Sequence, residues 1–190
     1  MTDKKNKPSR LKRKPEDLRN ASGALYYELW MLNECVRLDD ENKNSQDKPL
    51  KNAFIESFCV HARNLLDFFC DPNPLENDIY YKDFLKINPN NEFTPSFTID
   101  LKVTNENLNV YLSHLSHKRI NKKIKWEISK ITNEINKNMR VFLKAVNPSL
   151  ICDKLKEYMH GKVKKLNDIT TICATTEATS GVISVTKSIK

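Results

Sequence analysis

The sequence predicts an all-α protein, folded as an antiparallel bundle of four to five helices with a long irregular excursion between helices two and three. Apolar residues recur every three or four positions in four separate blocks, which is the spacing of one helix face. Only 3 glycines occur among 190 residues, so few tight β-turns are expected. Runs with β-propensity are few and have no partner strand, which leaves helices as the expected elements.

The first two helices have clear signals at both ends. Pro15 suits the first turn of a helix, and the apolar stripe over residues 18–36 predicts helix one up to the polar run 39–48. Pro49 begins the second helix, which should stop at the proline-containing segment 71–74.

The rest of the chain predicts one irregular segment and three further helices. Residues 72–101 hold four prolines and many Asn and Asp residues, which favours an irregular excursion with a short extended segment at 97–99. So long an excursion is either functional or pinned by its own aromatic side chains. A third helix is expected over about 105–116. The isoleucine-rich stripe over 120–146 predicts the fourth, and residues 150–160 predict a short last helix.

These elements define three regions of the chain. Residues 1–14 are predicted to be a basic disordered tail, residues 15–166 the helical bundle domain, and residues 167–190 a flexible tail rich in Thr and Ser. The residues predicted to form the core are Leu25, Leu29, Phe58, Leu65, Ile128 and Ile135.

The net charge of +8 is concentrated near the N-terminus. Residues 1–14 hold seven Lys and Arg against Asp3 alone, so that tail carries +6 and the rest of the chain +2. An unopposed basic tail indicates loose electrostatic attraction to RNA, DNA or acidic surfaces. It is weaker support for a basic groove on the folded body.

Composition also excludes several classes of cofactor site. The 3 glycines are far apart, which rules out the Gly-rich phosphate loop of nucleotide-binding proteins. The 5 cysteines are odd in number and form no Cys-x-x-Cys pair, so we expect reduced thiols and no zinc site. No apolar stretch suits a signal peptide or a membrane span. We therefore expect a cytoplasmic protein with no membrane partner, metal or cofactor.

Helix two carries two adjacent polar faces beside its apolar stripe. Residues seven and four positions apart lie nearly whole helical turns from each other, so an acid, two kinds of base and an amide come close together. One interpretation is a surface pair of Arg63 and Asp67 with a half-buried His61, and the other is a functional site. One face carries Glu56, Arg63 and Asp67, and the adjacent face carries Ser57, His61 and Asn64.

A second polar group surrounds His114 and His117. Histidine exchanges a proton near neutral pH, so a histidine beside basic residues suits acid/base cleavage of an RNA backbone. The alternative is a helix end, where imidazolium interacts with the C-terminal dipole. The basic residues that follow predict either phosphate contacts or a solvated helix face. They are Lys118, Arg119, Lys122, Lys123 and Lys125.

Together, the strings 52–69, 109–114 and 116–119 resemble small bacterial all-helical proteins of the HEPN superfamily. The resemblance covers about residues 16–146. It implies a helical bundle that is usually dimeric. In active members of the superfamily it also implies a metal-independent ribonuclease used in toxin-antitoxin, abortive-infection or other defence systems.

The active members carry an Arg followed four to six residues later by a His on a late helix, and two protomers bring their copies together. His114 matches the His, whereas residues 107–109 are Asn, Leu and Asn, so the motif is degenerate. An amide cannot neutralise a phosphodiester transition state as a guanidinium can. Arg63 or Arg119 would have to supply that charge.

The resemblance thus predicts an RNA-binding protein, acting as a ribonuclease in bacterial defence, that forms a homodimer and meets an antitoxin or defence partner. The alternative is a non-catalytic helical dimerisation or interaction module. For catalysis we assign His114 as acid/base, Arg63 as a phosphate or structural clamp, and Asn64 and Asp67 as orienting residues. The residues assigned to RNA binding are Arg119, Lys118, Lys122 and His117.

Overall fold

The structure is a computed structural model that describes residues 12–85, 92–113 and 126–159. Within these ranges the chain forms six α-helices, one 3-10 turn and no strand, which confirms the all-α prediction. The elements are α1 (Pro15–Glu41), α2 (Lys48–Cys70), α3 (Tyr81–Leu85), α4 (Leu101–Ser113), α5 (Ile128–Ala145), the 3-10 turn Pro148–Leu150 and α6 (Asp153–Met159).

Helices α1 and α2 form an antiparallel hairpin. Glu28 of α1 contacts His61 of α2, and Cys35, further along α1, contacts Ser57, which lies earlier in α2. The later residue of α1 therefore contacts the earlier residue of α2, which shows that the two helices are antiparallel. Asp47 begins α2, since its carboxylate accepts a hydrogen bond from the backbone N–H of Leu50 at 3.0 Å.

Helix α1 continues to Glu41, into the polar run 39–48 that was predicted to end it. Arg37 forms ion pairs with Glu34 and Glu41, which are one turn away on either side. Such ion pairs stabilise the last turns of α1, where the apolar stripe has ended. The side-chain amide of Asn42 then donates to the carbonyl of Leu38 at 2.9 Å and satisfies one terminal acceptor.

The irregular excursion after α2 includes one short helix, α3. Asp83 lies in its first turn and accepts a hydrogen bond from the backbone N–H of Tyr80 at 3.2 Å. The side chain of Phe84 is 1% exposed and anchors the helix in the core. The described part of the excursion is therefore held by buried aromatic residues, which is one of the two roles that the sequence left open.

The expected extended segment at 97–99 forms no strand, and α4 begins at Leu101 rather than at 105. Thr98 is held instead by the Glu134 carboxylate, which accepts from its N–H at 3.1 Å and from its hydroxyl at 2.7 Å. Asp100 starts α4 early, because its carboxylate accepts from the N–H of Val103 at 3.0 Å.

Helix α5 begins later than the isoleucine stripe predicted. Trp126 and Glu127 lie in non-helical backbone directly before Ile128, so the expected continuous helix is wrong at this point. Residues 120 and 124 of the stripe lie outside the described ranges. Ile128 itself is only half-buried, because it lies in the first turn at the edge of the core. The other predicted core residues are buried: Leu25, Leu29, Phe58, Leu65 and Ile135.

A cluster of phenylalanines around Phe142 joins α2, α3 and the segment before α4 to α5. The ring centroid of Phe142 lies 5.3 Å from that of Phe68, 5.7 Å from that of Phe84 and 5.6 Å from that of Phe93. The first two pairs meet edge to face, the arrangement that the aromatic quadrupole favours. This cluster fixes the excursion against α2.

Polar side chains fasten the C-terminal elements to α1. The hydroxyl of Ser22, which is 0% exposed, accepts from the backbone N–H of Cys152 at 2.7 Å. The amides of Asn33 and Asn136 exchange hydrogen bonds of 3.2 and 2.8 Å between α1 and α5. The Tyr158 hydroxyl adds a third bond of 2.9 Å to Asn136. Helix α1 is thus the element that α2, α5 and α6 share.

Replacement of Phe142 with Ala should lower the free energy of unfolding by about 3–5 kcal/mol, because it leaves a cavity among several packed rings. Val141 on the same helix is 51% exposed, so Val141→Ala should change stability by no more than about 0.5 kcal/mol. Urea denaturation followed by circular dichroism measures both. Equal stabilities of the two variants would contradict this description of the core.

Candidate functional site

Two polar residues of α2, His61 and Asn64, contact the same carboxylate of α1, that of Glu28. Its Oε2 lies 2.7 Å from Nδ1 of His61 and accepts a hydrogen bond from the side-chain amide of Asn64 at 3.1 Å. A carboxylate accepts, so Nδ1 of His61 carries the proton. The network ties the two helices together at the middle of their hairpin.

His61 is enclosed as well as hydrogen-bonded. It is 7% exposed, and its ring meets the ring of Tyr27 edge to face with centroids 5.7 Å apart. The adjacent Ser57 accepts a hydrogen bond from the Cys35 thiol at 3.2 Å. These contacts favour the interpretation of His61 as a structural histidine.

Arg63 and Asp67, one turn apart on α2, interact electrostatically. Partial burial raises the pKa of the Asp67 carboxyl, the nearby Arg63 guanidinium opposes that rise, and the charges of Asp71 and Asp78 add to it. Nε of Arg63 is buried and has no hydrogen-bond partner among the described residues. The predicted pair therefore exists as a charge interaction beside a group of carboxylates.

A groove runs between α1, α2 and the loop 74–80. It consists of two adjoining cavities of about 250 and 360 Å³, which share Asn64, Phe68, Asp78 and Ile79 in their walls. The wider cavity has a mainly apolar floor. The apolar side chains of its floor are Ala21, Ala24, Leu25, Leu65, Phe68 and Ile79.

The rim of this groove is acidic. Glu28 and Asp78 line the wider cavity, and Asp67, Asp71 and Asp78 line the narrower one. Neither cavity has a Lys or Arg in its described lining. The structure thus brings Asn64 and Asp67, two of the residues predicted to be catalytic, to one groove, whereas Arg63 is next to Asn64 in α2 but does not line it.

Arg13 contacts the loop that forms one wall of the groove. Its guanidinium Nη2 donates to the backbone carbonyls of Glu76 and Asp78, the latter at 3.2 Å. Residue 13 belongs to the segment that we assigned to the basic tail. No pattern in the sequence distinguishes Arg13 from its basic neighbours, so this contact could not be predicted.

The remaining residues of the predicted site cannot be placed against the groove. They fall within residues 114–125, which are outside the described ranges: His114, His117, Lys118, Arg119 and Lys122. Asn107, one of the residues at the position of the missing Arg, lines a separate cavity of about 320 Å³ with Trp126 and Lys130.

Charge is divided between the described residues and the rest of the chain. The described residues hold 17 Lys and Arg against 21 Asp and Glu, a net charge of −4. The other residues hold 15 Lys and Arg against 3 Asp and Glu, a net charge of +12. The residues that the structure describes are therefore net acidic, although the whole chain is basic.

The thiols and carboxylates of the described residues offer little for nucleophilic or metal chemistry. Burial raises the pKa of Cys59 to about 12 and that of Cys70 to about 11, and it also raises the pKa of Cys35. Within the described ranges, no three His, Cys, Asp or Glu side chains are grouped so that they could hold a metal ion. No described helix has the length and apolar character needed to cross a membrane.

No protein family, curated protein or solved structure matches this chain. Membership of the HEPN superfamily stays a prediction from the residues quoted for it. The interpretation of the site accordingly depends on the contacts of the chain itself.

Replacement of Glu28 with Ala should cost about 1–3 kcal/mol of unfolding free energy, because it leaves the donors of the buried His61 and the half-buried Asn64 without their acceptor. Glu34, on the same helix, pairs with the exposed Arg37, and Glu34→Ala should cost about 0.5 kcal/mol or less. Thermal and urea unfolding compare the two variants. A Glu28→Ala protein as stable as Glu34→Ala would show that the network contributes nothing.

Proposed function

We propose that this protein is a non-catalytic helical interaction module, whose groove between α1, α2 and the loop 74–80 is the docking site. The observation that supports this proposal is the hydrogen bonding of both His61 and Asn64 to Glu28. These side chains hold the hairpin together. A catalytic group on α2 would instead need a side chain that reaches its substrate.

The other groups around α2 agree with binding rather than catalysis. Cys59 and Cys70 have raised pKa values, so little of either thiol is ionised at neutral pH. The groove combines an apolar floor with carboxylates at its rim. An apolar cleft with a few charged groups around it is the usual form of a ligand or peptide site.

The second candidate function is RNA binding, with metal-independent cleavage by a HEPN-like homodimer in a bacterial defence or toxin-antitoxin system. The observation that favours it is the clustering of basic residues in two stretches of the sequence: residues 1–14 carry a net charge of +6, and residues 118–125 hold five Lys and Arg and no acid. Basic segments attract nucleic acid through the release of counterions. In this proposal His114 exchanges the proton, and Arg63 or Arg119 supplies the charge.

Incubation of the purified protein with labelled RNA in EDTA separates the two functions. We expect no cleavage, because His61 and Asn64 are bonded to Glu28 and residues 107–109 supply no Arg before His114. A matched His114→Ala variant controls for contaminating nuclease. Cleavage by the wild type that disappears in His114→Ala would refute the interaction module and support the ribonuclease.

If the protein attracts RNA, the N-terminal basic residues should provide most of that affinity. Replacing Lys4, Lys5, Lys7 and Arg10 with Gln should weaken binding to all RNAs alike and flatten the salt dependence, because fewer counterions are released. Fluorescence anisotropy at several salt concentrations measures both effects. The comparison variant replaces Lys122, Lys123 and Lys125 with Gln, and a larger loss there would contradict the assignment to the tail.

A further inference from the structure

The first described residues of the chain lie against one wall of the groove, the loop 74–80. Arg13 is held on the loop by its bonds to the carbonyls of Glu76 and Asp78, and Asp78 lines both cavities. Residues 1–11 directly precede this anchor, with only Lys12 between. An extended chain advances about 3.3–3.6 Å per residue, so a few residues are enough to cross a cavity of this size.

The charge of residues 1–11 is opposite to that of the rim. The segment carries Lys4, Lys5, Lys7 and Arg10 against Asp3. The groove presents four carboxylates, those of Glu28, Asp67, Asp71 and Asp78. Opposite charges at a partly desolvated rim attract more strongly than they would in bulk water.

The apolar character of the floor also has a counterpart in this segment. Leu11 follows Arg10 directly, so an apolar and a cationic side chain are adjacent in sequence. The floor offers Ala21, Ala24 and Ile79, which are not buried, to the first, and the rim offers carboxylates to the second. One short segment therefore matches both parts of the groove.

We infer that residues 1–11 of the chain itself occupy the groove, continuing from the Arg13 anchor, with their basic side chains against the carboxylates of Asp67 and Asp71. This inference rests on the groove being a docking site, as proposed above. A tethered segment is present at an effective concentration on the order of millimolar, so weak individual contacts suffice. A cationic segment of another protein must displace it to bind.

Zero-length carbodiimide cross-linking of the full-length protein tests this inference, because it joins a lysine amine to a carboxylate only when they are in contact. Peptide mapping should find Lys4, Lys5 or Lys7 joined to Asp67 or Asp71, with yields that do not depend on protein concentration and fall at high salt. Absence of these cross-links under low salt would overturn the inference.

Mixing isotopically light and heavy protein identifies the occupant. Links within one molecule support docking of the chain's own segment, whereas links only between light and heavy copies assign the groove to a second copy and overturn the inference. Neither outcome concerns RNA cleavage. The inference and the proposed function can therefore fail separately.

Trypsin cleavage after Lys5 and Arg10 provides a second readout in the full-length protein. Asp67→Asn together with Asp71→Asn should speed cleavage by about three- to tenfold, since two rim charges are lost. Both changes keep the side-chain shape. The first also removes a charge that burial disfavours, since burial raises the pKa of Asp67, and we expect the variant to fold.

The matched control is Glu56→Gln together with Glu127→Gln, two exposed carboxylates that do not line the groove. It should leave the rate of cleavage at Lys5 and Arg10 unchanged. Equal rates in both double variants would overturn the inference.

Discussion

The interface of α1 with α2 depends on the carboxylate of Glu28, which is the hydrogen-bond partner of the buried His61. Glu28 itself is half-buried, with 23% of its side chain exposed, and the hairpin places His61 and Asn64 opposite it as donors. A different register would leave the buried His61 without this partner, at a cost of about 1–3 kcal/mol. Because α5 and α6 are fastened to the other sides of α1, this one register also fixes their positions.

The same network positions the groove. Asn64 bonds to Glu28 with its amide and lines both cavities, so the residue that fixes the hairpin also forms the boundary between floor and rim. The opposite wall is the loop 74–80, where Arg13 donates to the backbone carbonyls of Glu76 and Asp78. If the groove is the docking site proposed above, stability and binding share Asn64, and an Asn64 variant would affect both.

The spacing of apolar residues along the sequence predicted the parts of the fold that are held by apolar packing, such as the buried stripe containing Leu25 and Leu29. It could not predict the end of α1, which depends on charge pairs of Arg37, or the start of α4, which depends on Asp100. Glu28 could have been found, because it lies three residues after Leu25 and four before Leu32, on the buried stripe. The Arg13 contact needs tertiary structure, and no sequence pattern carries it.

The phenylalanine cluster has a consequence for the order in which the chain folds. The α1–α2 hairpin closes a short turn, whereas Phe142 meets Phe68 only after most of the described chain has been synthesised. Closing the longer loop costs more chain entropy, so contacts of Phe142 form late. On the ribosome, the N-terminal hairpin emerges with Phe68 and Phe69 still uncovered. During that interval the nascent chain presents an apolar surface that a chaperone would recognise.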